Sequence, residues 1–552
     1  MFSQFNPKNY TSVLIDIFNR IDNTKKWDQN SLQKILKKFP QNNERLFRND
    51  ELVSGYRYLL ENGLYVKNKS VENRIRLKPI RTNSGVATVT VLTKPYPCPG
   101  NCIYCPNDRQ MPKSYISSEP GAQRALSNNF DPYAQVLNRL IALNNIGHNI
   151  EKVELLILGG SWSAYAHNYK IWFVKRCFEA LNHMNSEYGN SFINEFSMEV
   201  PTDIKELIEE QRKNETAFCR NVGLVLETRP DLITEEEVIN LRKLGATKIQ
   251  LGVQSLNNSI LKANNVGRNE KSSRKAFSLL RLAGFKIHAH WMPNLYKSTV
   301  KKDISDFKRL WSKHYCPDEL KIYPTSIVPN TFLFKLYKQN KYYPYTEKDL
   351  LEVLVKTISR TPRYCRLSRI IRDIPSGEIV DGNKKTNLRQ IAEQEILKKG
   401  LPLEDIRSRE IKDDFVKWED LEYEEIKYKT DVSTEYFLSY KTKIDDRICG
   451  FLRLSIPKRK YSKNNFIKEL VNSTVIREIH VYGKVVGISK ESTGESQHLG
   501  LGKHLIEIAQ KRSLENDFKK ISVISAIGTR EYYRKRGFQN GKLYMYKTLV
   551  EK

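Results

Sequence analysis

The sequence predicts an α/β domain joined to an α+β domain, the first a partial (β/α)6 barrel, with a small helical segment ahead of both. Three observations predict it. After Lys78, six short β-branched runs alternate with longer amphipathic stretches, as parallel strands with helical crossovers require. From about Leu401, strands follow one another with one long helix between the last two. Ahead of Lys78, apolar residues recur at three- and four-residue spacing, with no strand pattern.

Residues 1–74 form the helical segment, through "SVLIDIFNRI", "NSLQKILKKF" and "NDELVSGYRYLLENG". Lys25, Lys26, Lys34, Lys37 and Lys38 make it basic. Such a face is either solvated or an arm for nucleic acid. Residues 75–385 hold the barrel strands "GVATVTVL" (85–92), "KVELLIL" (152–158), "VGLVLE" (222–227), "TKIQLGV" (247–253), "KIHAH" (286–290) and "ELKIYP" (319–324). In such folds the chemistry gathers at the C-terminal strand ends. Residues 386–400 read as a linker helix, and 401–552 as the α+β domain, with strands in "STEYFLSYKTK", "RICGFLRLSI", "STVIREIHVYG" and "KKISVISAIGT".

Charge sets the partner class. The 552 residues carry a formal charge of +29 and a pI near 9.5. That excess favours a polyanion, because each phosphate neutralised releases counterions; a lysine-rich, low-GC genome would give the same bias. The start lacks a basic stretch followed by an apolar one, which predicts no signal peptide. "VELLIL" and "VGLVL" are too short to span a bilayer. A cytoplasmic, reducing location without a membrane partner is expected, and there disulfides are disfavoured.

That location bears on "YPCPGNCIYCPND" (96–108), which places Cys98, Cys102 and Cys105 within eight positions, in a chain with eight cysteines. Structural zinc takes four ligands, commonly as two pairs, and no second Cys/His pair stands nearby. Three thiolates on one loop would leave one corner of a four-iron cluster open to a small chelator. This spacing after the first strand resembles the radical SAM superfamily, in which the free iron holds S-adenosylmethionine (SAM). The resemblance implies SAM contacts at the next strand ends: Gly159, Gly160 and Ser161 after the second, Glu227 and Arg229 in "ETRP", and Gln254 in "GVQS". Turn chemistry alone would also explain the glycines. His288 and His290 alternate onto one face of the fifth strand, where structural roles are expected.

"QHLGLGKHL" (497–505) is a second constellation: Gln497, Gly500 and Gly502 give Q-x-x-G-x-G at a helix start. Backbone N–H groups there suit a phosphate. With the strand "VIREIHVYG" before it and "ISVIS" and "REYYRKRGF" after, the order resembles the GNAT acetyltransferases, whose loop grips the pyrophosphate of acetyl-CoA. The likeness puts Tyr533 at the thioester, with Tyr532 as second candidate; packing is the competing role.

The two halves together, with "KPIRTNSGVATVTV", "EPGAQRA", "DPYAQVLNRL", "KIYPT" and "GTREYYRKRGF", resemble the Elongator complex protein 3 family from about Lys78 to the C-terminus. The resemblance implies a TIM-like radical SAM barrel and a GNAT domain acting on wobble uridine 34 of tRNA; the basic segment 1–74, ahead of the matched stretch, is then expected to bind tRNA through its lysines. The resemblance also implies a [4Fe-4S] cluster on Cys98, Cys102 and Cys105, and SAM cleaved to a 5′-deoxyadenosyl radical. That radical takes hydrogen from the acetyl methyl of acetyl-CoA, and the carbon adds to uridine C5. By position, Lys152, Glu478, Ile479, His480, Val481, Leu501, Lys503 and Tyr533 are acetyl-CoA contacts, beside Gln497, Gly500 and Gly502. The first two cysteines lie closer here than in eukaryotic members. Accessory Elongator subunits are thus expected only if the chain works as those members do, and the electron donor is not identified. A protein-lysine acetyltransferase would use only the second half. A non-catalytic RNA-binding scaffold would explain the charge and neither motif.

Overall fold

The computed structural model describes residues 5–28, 30–41, 45–77, 85–184, 196, 198–411, 415–482, 484–486 and 499–550. Its first sheet has seven strands: β1 (Ala87–Leu92), β2 (Lys152–Leu158), β3 (Arg220–Thr228), β4 (Lys248–Gln254), β5 (Lys286–Trp291), β6 (Glu319–Ile322) and β7 (Arg366–Arg369). All pair in parallel and in sequence order, β1 to β7. Crossovers of one hand in that order put every helix on the same face, so the sheet curls with its other face inward. Six strands were expected; β7 is a seventh.

Alternation decides which side chains enter the curl. Along β2, Val153, Leu155 and Ile157 are buried outward against helix residues such as Phe173 and Phe178. Glu154, Leu156 and Leu158 face the interior. The crossover helices begin where their sequences provide caps. Asp131 accepts from the Ala134 N–H at 2.7 Å, ahead of Pro132, and Thr234 accepts from Glu237 at 3.1 Å.

The second sheet runs in the order β15-β16-β14-β12-β11-β10-β9. After the short β8 (Phe415–Lys417) come β9 (Leu421–Lys429), β10 (Ser433–Thr442), β11 (Ile448–Pro457) and β12 (Thr474–Val481). Then follow β13 (Lys484–Val486), which pairs β8, β14 (Lys520–Val523), β15 (Gln539–Asn540) and β16 (Met545–Thr548). β12 and β14 pair in parallel only over Thr474–Ile476 and Ile521–Val523; beyond Ile476 they part. The long helix expected before the last strands is Leu499–Leu514.

This sheet sits at the N-terminal ends of the barrel strands. Asp318, fully buried just before β6, accepts from Arg477 of β12 at 2.6 and 2.8 Å and pairs Arg281 and Arg453 at 3.5 Å. Burial would raise the Asp318 pKa, but Arg477 and Arg281 hold it well below the carboxylate range. Arg242, also buried, donates to the carbonyls of Ser525 (2.7 Å) and Leu543 (2.9 Å). Residues 386–400, expected as a linker, contain the helix Leu388–Lys398, which buries Ala392 and Ile396 in the common core. The N-terminal helices keep a core of their own around Leu14, Phe18, Leu52 and Tyr56. No helix among the described residues is long and apolar enough to cross a membrane.

Candidate active site

The cysteine loop leaves β1 through Pro95, Pro97 and Pro99, which bar helix and strand alike. Its backbone is tied to the far side of the barrel mouth: Ile103 N–H to the Asn264 carbonyl at 3.1 Å, and Leu333 N–H to the Ile103 carbonyl at 2.8 Å. Cys98, Cys102 and Cys105 are free and half-buried, with Cys98 Sγ 3.6 Å from Ser161 Oγ at the end of β2. A hydrogen bond from the Cys105 thiol pulls Cys102 down to about 6, and the Tyr104 hydroxyl and the Arg229 and Arg268 guanidiniums act in the same direction. Sharing that bond and being buried push Cys105 up.

These residues fit an iron–sulfur cluster. Cationic surroundings favour thiolate, the soft ligand iron takes, and three thiols leave one iron free. Among the described residues no three His, Cys, Asp or Glu side chains close on a single ion; in a cluster each thiolate meets its own iron. Beside the loop, Gly159 and Gly160 have φ of 120° and 64°. A Cβ at Gly159 would overlap Thr93 Oγ1, so only glycine lets the backbone lie this close to the end of β1.

The predicted SAM residues all reach this mouth, but they do not form one group. Arg229 lies against Gly100, where a Cβ would overlap its guanidinium, and it bonds Asp231 (2.9 Å) and the Val266 carbonyl (2.9 Å). It braces the cysteine loop. Glu227 turns into the barrel, accepting from the Tyr115 hydroxyl at 3.2 Å, with His290 Nδ1 at 3.8 Å. Burial pushes its carboxyl up, against the pull of Lys321. Gln254 has a left-handed φ of 65°, and its buried Oε1 has no hydrogen-bond partner among the described residues. Asp306 holds the turn that follows, accepting from Leu256 N–H, Ser255 Oγ and Trp291 Nε1, each at 3.0 Å.

From this mouth one cavity of about 2190 Å³ runs through the barrel to the second sheet. His288 and His290 line it. Both are hydrogen-bonded, His288 Nε2 to Ser368 Oγ at 2.7 Å and His290 Nε2 to Gln250 Oε1 at 3.0 Å, and burial holds both well below the usual imidazole range. At the lower end Lys248 bridges Glu154 (2.7 Å) and Glu319 (3.3 Å), and Lys286 bridges Glu319 (3.0 Å) and Glu478. Burial would pull Lys286 down; the two carboxylates more than offset it.

The predicted acetyl-CoA residues gather at that lower end. Lys152 starts β2 with an exposed side chain, and Glu478, Ile479, His480 and Val481 lie where β12 has parted from β14. Half-buried His480 is lowered to about 4 by desolvation, and its Nε2 has no hydrogen-bond partner among the described residues. Across the gap stands the start of Leu499–Leu514. Gly500 has open space around it, whereas a Cβ at Gly502 would overlap the Tyr532 hydroxyl. Leu501 is buried and Lys503 is 3.9 Å from Glu507. Tyr532 and Tyr533 both line the cavity, Tyr533 almost fully buried. Gln497 lies outside the described residues.

Sequence reasoning missed Lys248, Gln250, Lys286, Glu319 and Lys321, the polar lining of the barrel. Their signal was present: in "KIQLGV", "KIHAH" and "ELKI" polar residues alternate with apolar ones, although both faces of a barrel strand are enclosed.

Two family models match the chain: the Radical SAM superfamily over residues 96–304, and the Radical_SAM C-terminal domain over 317–398. The barrel is a radical SAM domain, which implies an iron–sulfur cluster and SAM. A "tRNA uridine(34) acetyltransferase" of Methanocaldococcus infernus is 39% identical over 491 residues, 86% of this chain and 88% of that one. The Elongator complex protein 3 of Homo sapiens is 33% identical over 494 residues, 86% of each chain. Among solved structures, the archaeal Methanocaldococcus infernus Elp3 with an N-terminal deletion matches at a TM-score of 0.68 and 34% identity, covering 84% of this chain and 99% of that one.

Proposed function

Because the chain belongs to the Elongator complex protein 3 family, we propose that it is a tRNA-modifying enzyme that transfers a carboxymethyl group derived from acetyl-CoA to C5 of wobble uridine 34. One observation carries this reading: the cysteine loop and the parted strands β12 and β14 open into the same cavity. A lysine acetyltransferase would leave the loop and the barrel interior without a role.

Cys98, Cys102 and Cys105 would hold the [4Fe-4S] cluster, and Gly159, Gly160, Ser161 and Gln254 would receive SAM at the open iron. When bound, the pair supplies a carbon radical by one-electron reduction. The chain does the rest. Glu478 to Val481 and Gly500 to Lys503 would grip acetyl-CoA, with Lys152 on the barrel side. Burial raises the phenol pKa values of both Tyr532 and Tyr533. Near neutral pH both therefore keep their proton and can donate a hydrogen bond to a thioester. Half-buried Glu227, with Tyr115 and His290 beside it, can hold a proton at the cluster end. Trp27, Lys69 and Arg74 bring the basic N-terminal segment to the rim of the cavity, where tRNA would bind.

The test is anaerobic reconstitution of this chain alone with iron, sulfide, SAM, a chemical reductant, tRNA and [13C2]acetyl-CoA, followed by nucleoside mass spectrometry. Carboxymethyluridine carrying both labelled carbons at position 34 is the expected product. Acetylated lysine with unmodified uridine would favour the acetyltransferase alternative. Turnover by the chain alone would also decide the need for accessory Elongator subunits.

A further inference from the structure

The interior of a closed (β/α) barrel is normally filled by bulky branched side chains. The interior of β1–β7 is instead open, and its two long walls differ. On the β4–β6 wall Lys248 pairs Glu319 and reaches Glu154 of β2, and Lys321 donates to the Gln250 amide oxygen at 2.6 Å. On the β1–β3 wall the charged residues are Lys152 and Arg220 at the lower end, Glu154 paired to Lys248, and Glu227 at the cysteine-loop end; between them the lining is neutral and slender, with Thr88, Thr90, Leu156 and Val222. The two ends carry the two halves of the chemistry. The cysteine loop follows the C-terminal end of β1, while Lys152 and Glu478 stand at the N-terminal ends. The seven residues of β2 separate those ends by about 20 Å, six steps of roughly 3.3 Å.

An acyl group held where β12 and β14 part is therefore a barrel's length from the loop that must act on it. Resting on the function proposed above, we propose that the neutral β1–β3 wall is the passage for the acyl end of acetyl-CoA. The uncharged pantetheine arm enters between β12 and β14 and lies along Leu156 and Thr90 towards the cysteine loop. An arm of amides and methylenes fits a wall of this kind, because it needs a few hydrogen-bond partners and no counter-charge. Opposite, Lys248 and Glu319 pair each other, while Lys321 and Gln250 present polar groups to the arm's amides.

The test uses the full chain with Thr90→Cys, close in volume to the native residue, or the smaller Leu156→Cys, and Lys348→Cys on the exposed outer helix as control. N-ethylmaleimide labelling of each new thiol is followed by peptide mass spectrometry, with and without a non-hydrolysable thioether analogue of acetyl-CoA. Both interior thiols should react in the free protein. The analogue, at ten times its dissociation constant, should slow them by about tenfold, the factor by which free protein falls, and leave Lys348→Cys unchanged. Calorimetric binding of the analogue without protection at either interior thiol overturns the passage and leaves the proposed function standing. Interior thiols that never react overturn it too, because the barrel would then be closed. No binding at all overturns both.

Discussion

Lys286 at the start of β5 reaches across the domain seam to the carboxylate of Glu478 in β12, while also holding Glu319 of β6 at 3.0 Å. One ammonium thus joins the barrel floor to the strand that would carry acetyl-CoA. Removing one partner of a buried pair leaves an uncompensated charge, at a cost of about 3–5 kcal/mol. Lys286→Met should fall at the low end, about 3 kcal/mol, because Arg453 still pairs Glu478 and Lys248 still pairs Glu319. Denaturant unfolding checks this, and adding Glu478→Gln should recover part of the loss. Unchanged stability in the single variant would remove the pair from the account of the seam.

Cys102→Ser removes one of three thiol ligands, so reconstituted iron and sulfide should fall sharply and 5′-deoxyadenosine production under dithionite should disappear. The analogue of acetyl-CoA should still bind, since this loop and β12 stand at opposite ends of the barrel. Cys219, fully buried behind the sheet, serves as control: Cys219→Ser should leave iron content near wild type. Iron analysis beside calorimetry decides the matter, and a normal cluster in Cys102→Ser would refute the ligand assignment.

Gly500 and Gly502, on the same first turn of their helix, should respond differently to the same methyl group. Gly500→Ala meets open space and should bind acetyl-CoA as wild type does. Gly502→Ala must displace the Tyr532 hydroxyl and should weaken binding. A carboxylate at either place, Gly500→Glu or Gly502→Glu, should repel the pyrophosphate and abolish binding with iron content unchanged. Equal affinity of all four variants in calorimetry would end the pyrophosphate reading of this turn.

Lys25, Lys26, Lys34, Lys37 and Lys38 are all exposed on a segment with its own core. Deleting residues 1–74 should weaken tRNA binding far more than acetyl-CoA binding. The slope of log affinity against log salt should shrink by about 0.7–0.9 for each phosphate that the shortened chain no longer neutralises. An unchanged slope in the truncated protein would reduce the segment to a solvated cap.

His480 is half-buried, and desolvation of its ring lowers it to about 4 from 6.5. The unfolded chain therefore binds more protons between those values, and stability should rise with pH from about 4 to 6.5 and level off above. His288 and His290 are lowered in the same direction. Melting temperatures from pH 7 down to 5 should fall, and His480→Phe, which keeps the ring between Phe451 and Tyr482, should flatten the curve. A slope identical to wild type would mean His480 is charged or solvated in the folded state.

The first six barrel strands were legible because each keeps an apolar outer face in a run of β-branched residues. β7, "RLSR", was not: only Leu367 of its four residues is apolar. The cysteine loop was legible from spacing alone. Glu227 and Arg229 are both expected at SAM from "ETRP", but β3 ends at Thr228, so Arg229 leaves the sheet to brace the cysteine loop while Glu227 lines the cavity. The barrel lining is not singled out by the sequence, because polar alternation along a strand does not tell a solvent-facing side from an enclosed one; only closure of the sheet and the arrival of β12 beneath it turn those lysines inward. Asp318 and Arg477 are 159 residues apart, and nothing local in either stretch announces the other.

Asp318 lies in the barrel, yet two of its three arginines, Arg453 and Arg477, belong to the second sheet. A chain cut near residue 400 would leave those cations facing water or apolar surface with no anion from the barrel, and the barrel would keep a buried carboxylate with Arg281 alone. Deletion alleles should consequently behave as folding lesions, whichever half they remove. Point changes at the cysteine loop or at the Gly500–Gly502 turn should separate the two chemistries cleanly. A genetic screen of this locus would then recover separable functions only among missense alleles.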